Sequence, residues 1–569
     1  MILNGKSAAP GIAAGKIFIY NEKFIIPAET LVPSGQEQTH LDRYQFIKKQ
    51  VLDELEVIRL SMEKTDPAKA AIFDAQKEIA EDIVINEEIP AKILNERWSG
   101  DWAIYQVYET IIRILCKASD PIISERTADF EDVRARLLRL WNGQNHEGLS
   151  NLKEPVIVAA LDLKPSDTAS IDKDKVLAIL TETGGETCHT AIIAKSFGIP
   201  AVLGIEGLLN FIKHGQRAVV YAQEGEVILD PDDHEMLAFS KKSEAFKRDK
   251  EDAQTYLYSE GATKCGVKID IGLNISSVSE NENELKAQVF ADFAGLVRTE
   301  FLLLERDSLP AEEEQFILYR KVLEYFGKKP VIFRTLDIGA DKQIEYLKQK
   351  REENSLLGNR GIRFCFNNPE IFKTQLRALL RASVYGNLWL MLPMVGSLDD
   401  IRRAKEIISE VKKELDADKK PYGNVKTGIM IEVPSIALIA GLAVKEVDFA
   451  SIGTNDLCQY LCAADRMNSA VGDYYSRFHP AIFLLLKNII KSFAAAEKPL
   501  SVCGELGSDP LAVPVLIGLG LRKLSMSAAS VAGVKRRIAS ITVKQAEEMA
   551  ANILALSTAA DIEKYLACL

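Results

Sequence analysis

Between about residues 36 and 142, apolar positions recur every three or four residues, as in LDRYQFIKKQVLDELEVIRLSMEK, and glycine is scarce. That spacing predicts long amphipathic helices with no strands between them, and therefore a helical bundle whose charged faces are solvated. DPAKAAIFDAQKEIAEDI carries an Asp-Pro helix start, and TADFEDVRARLLRLWNG stops at Gly143. The opening GKSAAPGIAAGKIFIY predicts a Gly-rich turn feeding one short strand, GKIFIY. Strand-like runs return at Pro155 with PVIVAALDL, VLAILTETGG and RAVVYAQEGEVILD, around the segment CHTAIIAKSFGIPAVLG. These form a compact α/β domain. The opening strand belongs to it, which makes the bundle an insertion.

A polar stretch, PDDHEMLAFSKKSEAFKRDKEDAQTYLYSEG, has helical character but no strong apolar face, and predicts a linker helix between two halves that move relative to each other. Beyond it, eight apolar runs alternate with helical segments: VKIDIGLNI, GLVRTE, PVIFRTLD, LWLMLPM, TGIMIEV, VDFASIG, PLSVCGE and KLSMS. Their number and the segment length fit a (β/α)₈ TIM barrel, with an open doubly wound sheet as the alternative, because periodicity alone does not show closure. The expected architecture is a multidomain α/β protein. Its domains are an α/β domain at 1–24 and 145–230, an inserted helical bundle at 25–144, a linker helix at 231–262 and a C-terminal barrel at 263–569.

Composition narrows the function classes. Hydrophobic residues make up 47% and charged residues 27%, ordinary globular usage. The balance of 70 Lys+Arg against 81 Asp+Glu gives −11, which argues against a nucleic-acid partner. No apolar run is long enough to span a bilayer, and the opening residues lack the apolar core of a signal peptide. Eight scattered cysteines with no CxxC pair exclude a disulfide framework and suit a reducing, cytoplasmic setting.

The chemistry gathers at the strand ends. Arg298, Arg334, Glu432, Asn455, Asp456 and Cys503 sit at or just beyond the C-terminal ends of different barrel strands, where barrel enzymes build their active sites. With Arg360 in LGNRGIR and Arg466 in CAADRMN, Arg298 and Arg334 read as an anion clamp for a small phosphorylated acid, since guanidinium forks match phosphate and carboxylate oxygens. Glu432 and Asp456 supply oxygen ligands suited to Mg²⁺; the alternative is that Glu432 neutralises an arginine. Cys503 is either a general acid or base or a space-filling thiol. Of six histidines, His189 stands apart: it follows a strand and a Gly-Gly turn and opens a helix, where backbone N–H groups stabilise an anion. A phosphohistidine fits there; a merely packed ring is the alternative.

Taken together, APGIAAGK, GGETCHTAIIAKSFGIPAVLG, GLVRTEFLLLERDSLPAEEEQF, FRTLDIGADK, GIMIEVPS, VDFASIGTNDLCQY, SVCGELGSDP and LSMSAAS resemble, nearly end to end, enzyme I of the bacterial sugar phosphotransferase system. The resemblance implies a swivelling phosphohistidine domain and a barrel that binds phosphoenolpyruvate. Arg298, Arg334 and Arg466 grip the substrate, with Arg360 nearby; Asn455 adds a polar contact, and Glu432 and Asp456 hold Mg²⁺. The phosphoryl group passes to Nε2 of His189 and then to the carrier protein HPr, docked on the inserted bundle. Cys503 matches the proton donor that yields pyruvate. The resemblance also implies a homodimer through the barrel, without membrane insertion. A nitrogen-type regulatory relay, or a carrier-binding regulator without chemistry, is the alternative. The chain departs from the family at Glu186 and Cys188 beside His189, at Gln76 and Glu131 in the bundle, and at Asn359 beside Arg360.

Overall fold

The computed structural model describes the chain except residues 21–25, 64–66, 118–120, 144–148, 150–151, 164–170, 173, 185–188, 277–282, 305–307, 340–343, 348–351, 353, 467 and 569. It divides into two compact units, Met1–Phe246 and Lys247–Leu569.

In the first unit an eight-stranded sheet runs in the order β1-β8-β7-β3-β4-β5-β6-β2. Its strands are β1 (Ile2–Asn4), β2 (Lys6–Ala9), β3 (Ile12–Tyr20), β4 (Val156–Ala160), β5 (Val176–Thr181), β6 (Ala201–Leu203), β7 (Arg217–Tyr221) and β8 (Glu226–Leu229). The opening segment thus makes three strands where its sequence predicts a turn and one. Gly5 and Pro10 interrupt the run, yet each short piece finds a partner: β1 pairs antiparallel with β8 and β2 with β6. β3 pairs in parallel with β4, Lys16 opposite Val156 and Tyr20 opposite Ala160. Adjacent strands of one sheet are therefore separated in sequence by the helices. β4 is buried along its whole length because apolar layers cover both faces of the sheet.

Those intervening helices are α1 (Glu37–Glu63), α2 (Pro67–Glu81), α3 (Ile83–Asn95), α4 (Gly100–Lys117) and α5 (Pro121–Trp141). Their apolar stripes meet in one core that includes Val51, Leu55, Phe73, Ile89, Ile104, Tyr108 and Val133. Asp82 starts α3 by accepting from the Ile85 N–H at 3.1 Å, satisfying one orphan donor of the first turn. Gln76 is buried and donates to Asp132 at 3.3 Å, so it serves the interior of the bundle rather than its surface. After the sheet come α6 (His189–Phe197), in chain order between β5 and β6, and the polar α7 (Asp233–Thr255). The division between the two units falls within α7.

The second unit settles the choice between barrel and open sheet. Its strands are β9 (Asp270–Ile275), β10 (Phe293–Val297), β11 (Pro330–Arg334), β12 (Asn387–Leu392), β13 (Lys426–Ile431), β14 (Phe449–Ile452), β15 (Leu500–Val502) and β16 (Lys523–Met526). All neighbours pair in parallel, and β16 closes onto β9 with Lys523 opposite Asp270 and Met526 opposite Leu273. Inside lie Phe293, Ile332, Trp389, Met391, Met430, Phe449 and Cys503. Gly428 is required there, since a Cβ would meet the Phe449 ring at 2.6 Å. Outside, α8 (Pro369–Ala382) turns Phe372, Leu376 and Leu379 inward, and α9 (Thr454–Cys462) and α10 (Val543–Leu554) also bury one face. Because every strand runs the same way, all eight C-terminal ends open on one rim.

Candidate active site

The sequences at that rim explain how charged groups come to be buried there. At five of the strands a charged, amide or thiol side chain appears at the last residue or just past it. Arg334 ends β11, Glu432 follows β13, and Asn455 and Asp456 lie in the first turn of α9 just beyond β14. Cys503 follows β15, and Arg298 follows β10.

The structure joins Arg334, Arg360 and Asp456 in one network of contacts with two acids the sequence reading passed over, and sets Glu432 close enough for their charges to act on it. Arg334 Nη1 lies 2.9 Å from Asp337 Oδ2, and its Nη2 lies 3.2 Å from Glu300 Oε1. Arg360 donates from Nε to Asp337 Oδ1 and from Nη2 to Asp337 Oδ2, both at 2.9 Å. Its Nη2 and Nη1 also reach Asp456 at 3.2 and 3.4 Å, and Nη1 donates to the Tyr460 hydroxyl at 3.1 Å. Glu432 accepts from the Met394 N–H through Oε1 at 2.6 Å. Met394 adopts φ +56°, an uncommon conformation for a side chain of its size.

Glu300, Asp337, Arg334, Arg360, Glu432 and Asp456 are all buried. Burial opposes the charge on each guanidinium, but the carboxylates outweigh it. Asp337 and Glu300 beside Arg334, and Asp337 and Asp456 beside Arg360, hold both well above the ordinary arginine range. Glu432 shows the reverse balance: burial, with Asp337 and Asp456 nearby, pushes its carboxyl up to about 8 despite the two arginines. Its Oε2 is buried with no hydrogen-bond partner. A buried carboxylate oxygen left without a donor, next to a second carboxylate, is chemistry that a divalent cation satisfies. No group of three or more His, Cys, Asp or Glu gathers for a metal among the described residues. The fit is to the Mg²⁺ pattern of one or two carboxylates completed by water and substrate oxygens.

Around this cluster the remaining candidates take different positions. Cys503 is buried, donates to the Ile452 carbonyl at 3.6 Å, and is pushed up to about 11 by burial, so it keeps its proton at neutral pH. Arg298 is exposed and near enough for its charge to act on that thiol. Asn455 turns its Oδ1 to the Glu505 N–H at 3.0 Å. Arg466 is half-buried in the loop after α9, where its N–H donates to Gln459 Oε1 at 3.1 Å. Asn359, beside Arg360, accepts from Asn367 at 2.8 Å. His189 is the first residue of α6 in the other unit; its side chain, and residues 185–188 with Glu186 and Cys188, lie outside the described residues. Glu300 and Asp337 had a readable signal. Each is an acid two or three residues past a strand-end arginine, in GLVRTE and FRTLD.

The closed parallel barrel, with buried arginines paired to carboxylates at its rim, matches that of the phosphoenolpyruvate-utilising enzymes. That class's PEP-binding domain matches residues 250–543, its mobile domain residues 152–225 and its N-terminal domain residues 4–126. The chain belongs to the phosphoenolpyruvate–protein phosphotransferase family. It is 36% identical to the family's protein from Priestia megaterium over 567 residues, covering 99% of this chain and 98% of that one. With the protein from Staphylococcus carnosus it shares 37% identity over 98% of this chain and 97% of the other. The solution structure of Enzyme I determined by NMR matches with a TM-score of 0.39 and 32% identity, covering 43% of this chain and 99% of that chain. Among the described residues, no helix is long and apolar enough to cross a membrane.

Proposed function

We propose that this protein takes the phosphoryl group of phosphoenolpyruvate onto Nε2 of His189 and passes it to a histidine of an HPr-type carrier, releasing pyruvate, as the first step of a sugar phosphotransferase system. The observation that carries the reading is the buried pairing of Arg334 and Arg360 with acids around the unpartnered Glu432 Oε2. Arg298, Arg334, Arg360 and Arg466 hold phosphate and carboxylate oxygens, and Asn455 adds a polar contact. Glu432 and Asp456 would hold Mg²⁺, which when bound draws charge from the phosphate oxygens. The neutral imidazole of His189 attacks phosphorus as the P–O bond to the enol breaks, and the guanidiniums stabilise charge on the departing oxygen. Cys503 then gives its proton to the enolate carbon, and solvent restores the thiol. The helical segment 25–144 docks the carrier, and two copies associate through the barrel.

The test is phosphorylation by labelled phosphoenolpyruvate. The parent gains an acid-labile label on His189, and His189→Ala gains none while still binding phosphoenolpyruvate with Mg²⁺. Label retained at another residue in that variant rejects the assignment.

A further inference from the structure

The barrel-top acids differ in how tightly they hold the same arginine. Asp337 grips Arg360 through two bonds of 2.9 Å, the length of strong charge-assisted pairs, while Asp456 reaches it at 3.2 and 3.4 Å. Asp337 is itself fixed from several sides. Its N–H donates to Glu300 Oε1 at 2.9 Å, and Glu300 also pairs with Arg334. The preceding Leu336 N–H donates to the fully buried Gln375 of α8 at 3.0 Å. The same Asp337 Oδ2 meets Arg334 Nη1 at 2.9 Å. One carboxylate therefore sets the positions of both buried guanidiniums.

We propose that Asp337 is the positioning residue of the phosphate clamp: it anchors Arg334 and Arg360 permanently, so that Asp456 can release Arg360 and turn to a divalent cation. The assignment rests on the functional reading above. Asp456 has two candidate partners, the guanidinium and the cation, and serves the second only if Arg360 stays neutralised when it leaves. Asp337 supplies that neutralisation. Without its charge, Arg360 retains Asp456 as its only strong carboxylate partner among the contacts described above. The pair tightens, and the cation must compete with it.

The probe is Mn²⁺, followed by its effect on water-proton relaxation in the full-length protein without substrate. Asp337→Asn is expected to bind Mn²⁺ about tenfold or more weakly than the parent, the order expected when a charge-assisted pair must be broken first. The double variant Asp337→Asn/Arg360→Gln, having nothing left to hold Asp456, is expected to return to within about threefold of the parent. It should still bind phosphoenolpyruvate poorly. A general loss of structure does not produce that recovery. Asp337→Glu keeps the charge but displaces it. Mn²⁺ affinity should stay near the parent's while KM for phosphoenolpyruvate rises about tenfold, and this variant carries the test if Asp337→Asn does not fold. Mn²⁺ binding unchanged in Asp337→Asn, or not recovered in the double variant, overturns the assignment, as does an unchanged KM in Asp337→Glu. A parent that takes neither Mn²⁺ nor label from phosphoenolpyruvate overturns the functional reading instead.

Discussion

Arg360 reaches Asp456 at 3.2 Å across the barrel rim, joining the loop after β11 to the first turn of α9. Ninety-six positions separate the two residues, and their contact couples a proposed substrate-binding group to a proposed cation ligand. Arg360 can make that link and hold Asp337 at the same time because its donors are arranged in a planar fork.

Replacing the fork tests this directly. Arg360→Lys keeps the charge but offers a single ammonium, which cannot serve Asp337, Asp456 and Tyr460 together. Phosphoenolpyruvate affinity, measured by calorimetry with Mg²⁺ present, is expected to fall about tenfold to a hundredfold. An affinity within twofold of the parent shows that charge alone suffices.

Cys503→Ser keeps the size of the side chain and removes most of its acidity. Phosphoenolpyruvate binding should survive while turnover falls by roughly 10²–10⁴-fold, the usual cost of losing a general acid. Proton delivery to the methyl group of pyruvate should lose its facial preference. Near-parental turnover with stereochemistry retained would make Cys503 a packing residue.

The cysteines should separate by reactivity. Burial raises the Cys503 thiol to about 11, so the acid form persists through neutral pH and a fall in rate from this group belongs only to strongly alkaline solution. Exposed Cys265 is lowered instead, first by its hydrogen bond with Thr263 and next by the Val543 N–H that opens α10. Iodoacetamide at pH 8, followed by peptide mapping, should modify Cys265 well before Cys503. The opposite order contradicts both environments.

Gly453 lies against Glu432, a proposed cation ligand. A Cβ there would sit 2.9 Å from Glu432 Oε2 and 3.1 Å from Met430 Sδ. Gly453→Ala is expected to cost about 1–3 kcal/mol in urea unfolding. It should also weaken Mn²⁺ binding, because the oxygen that must meet the cation is displaced. Unaltered stability and metal affinity together would show that the loop shifts freely.

The eight barrel strands were legible in the sequence because a parallel strand covered on both faces reads as a largely apolar run, and five of the runs here end at a candidate site residue. Arg298, Arg334, Glu432 and Cys503 were visible on that ground alone, as polar groups where an apolar pattern stops. The opening strands were not, since β1 and β2 hold three and four residues around Gly5 and Pro10, too few to establish a period. Only tertiary structure decided closure, through the pairing of Lys523 with Asp270, 253 positions apart, which no local pattern encodes. It also decided the roles of Glu300 and Asp337. In sequence an acid beside an arginine is an ordinary surface pair; buried under the barrel rim, where water cannot stabilise either charge, the same acids determine where the arginines stand.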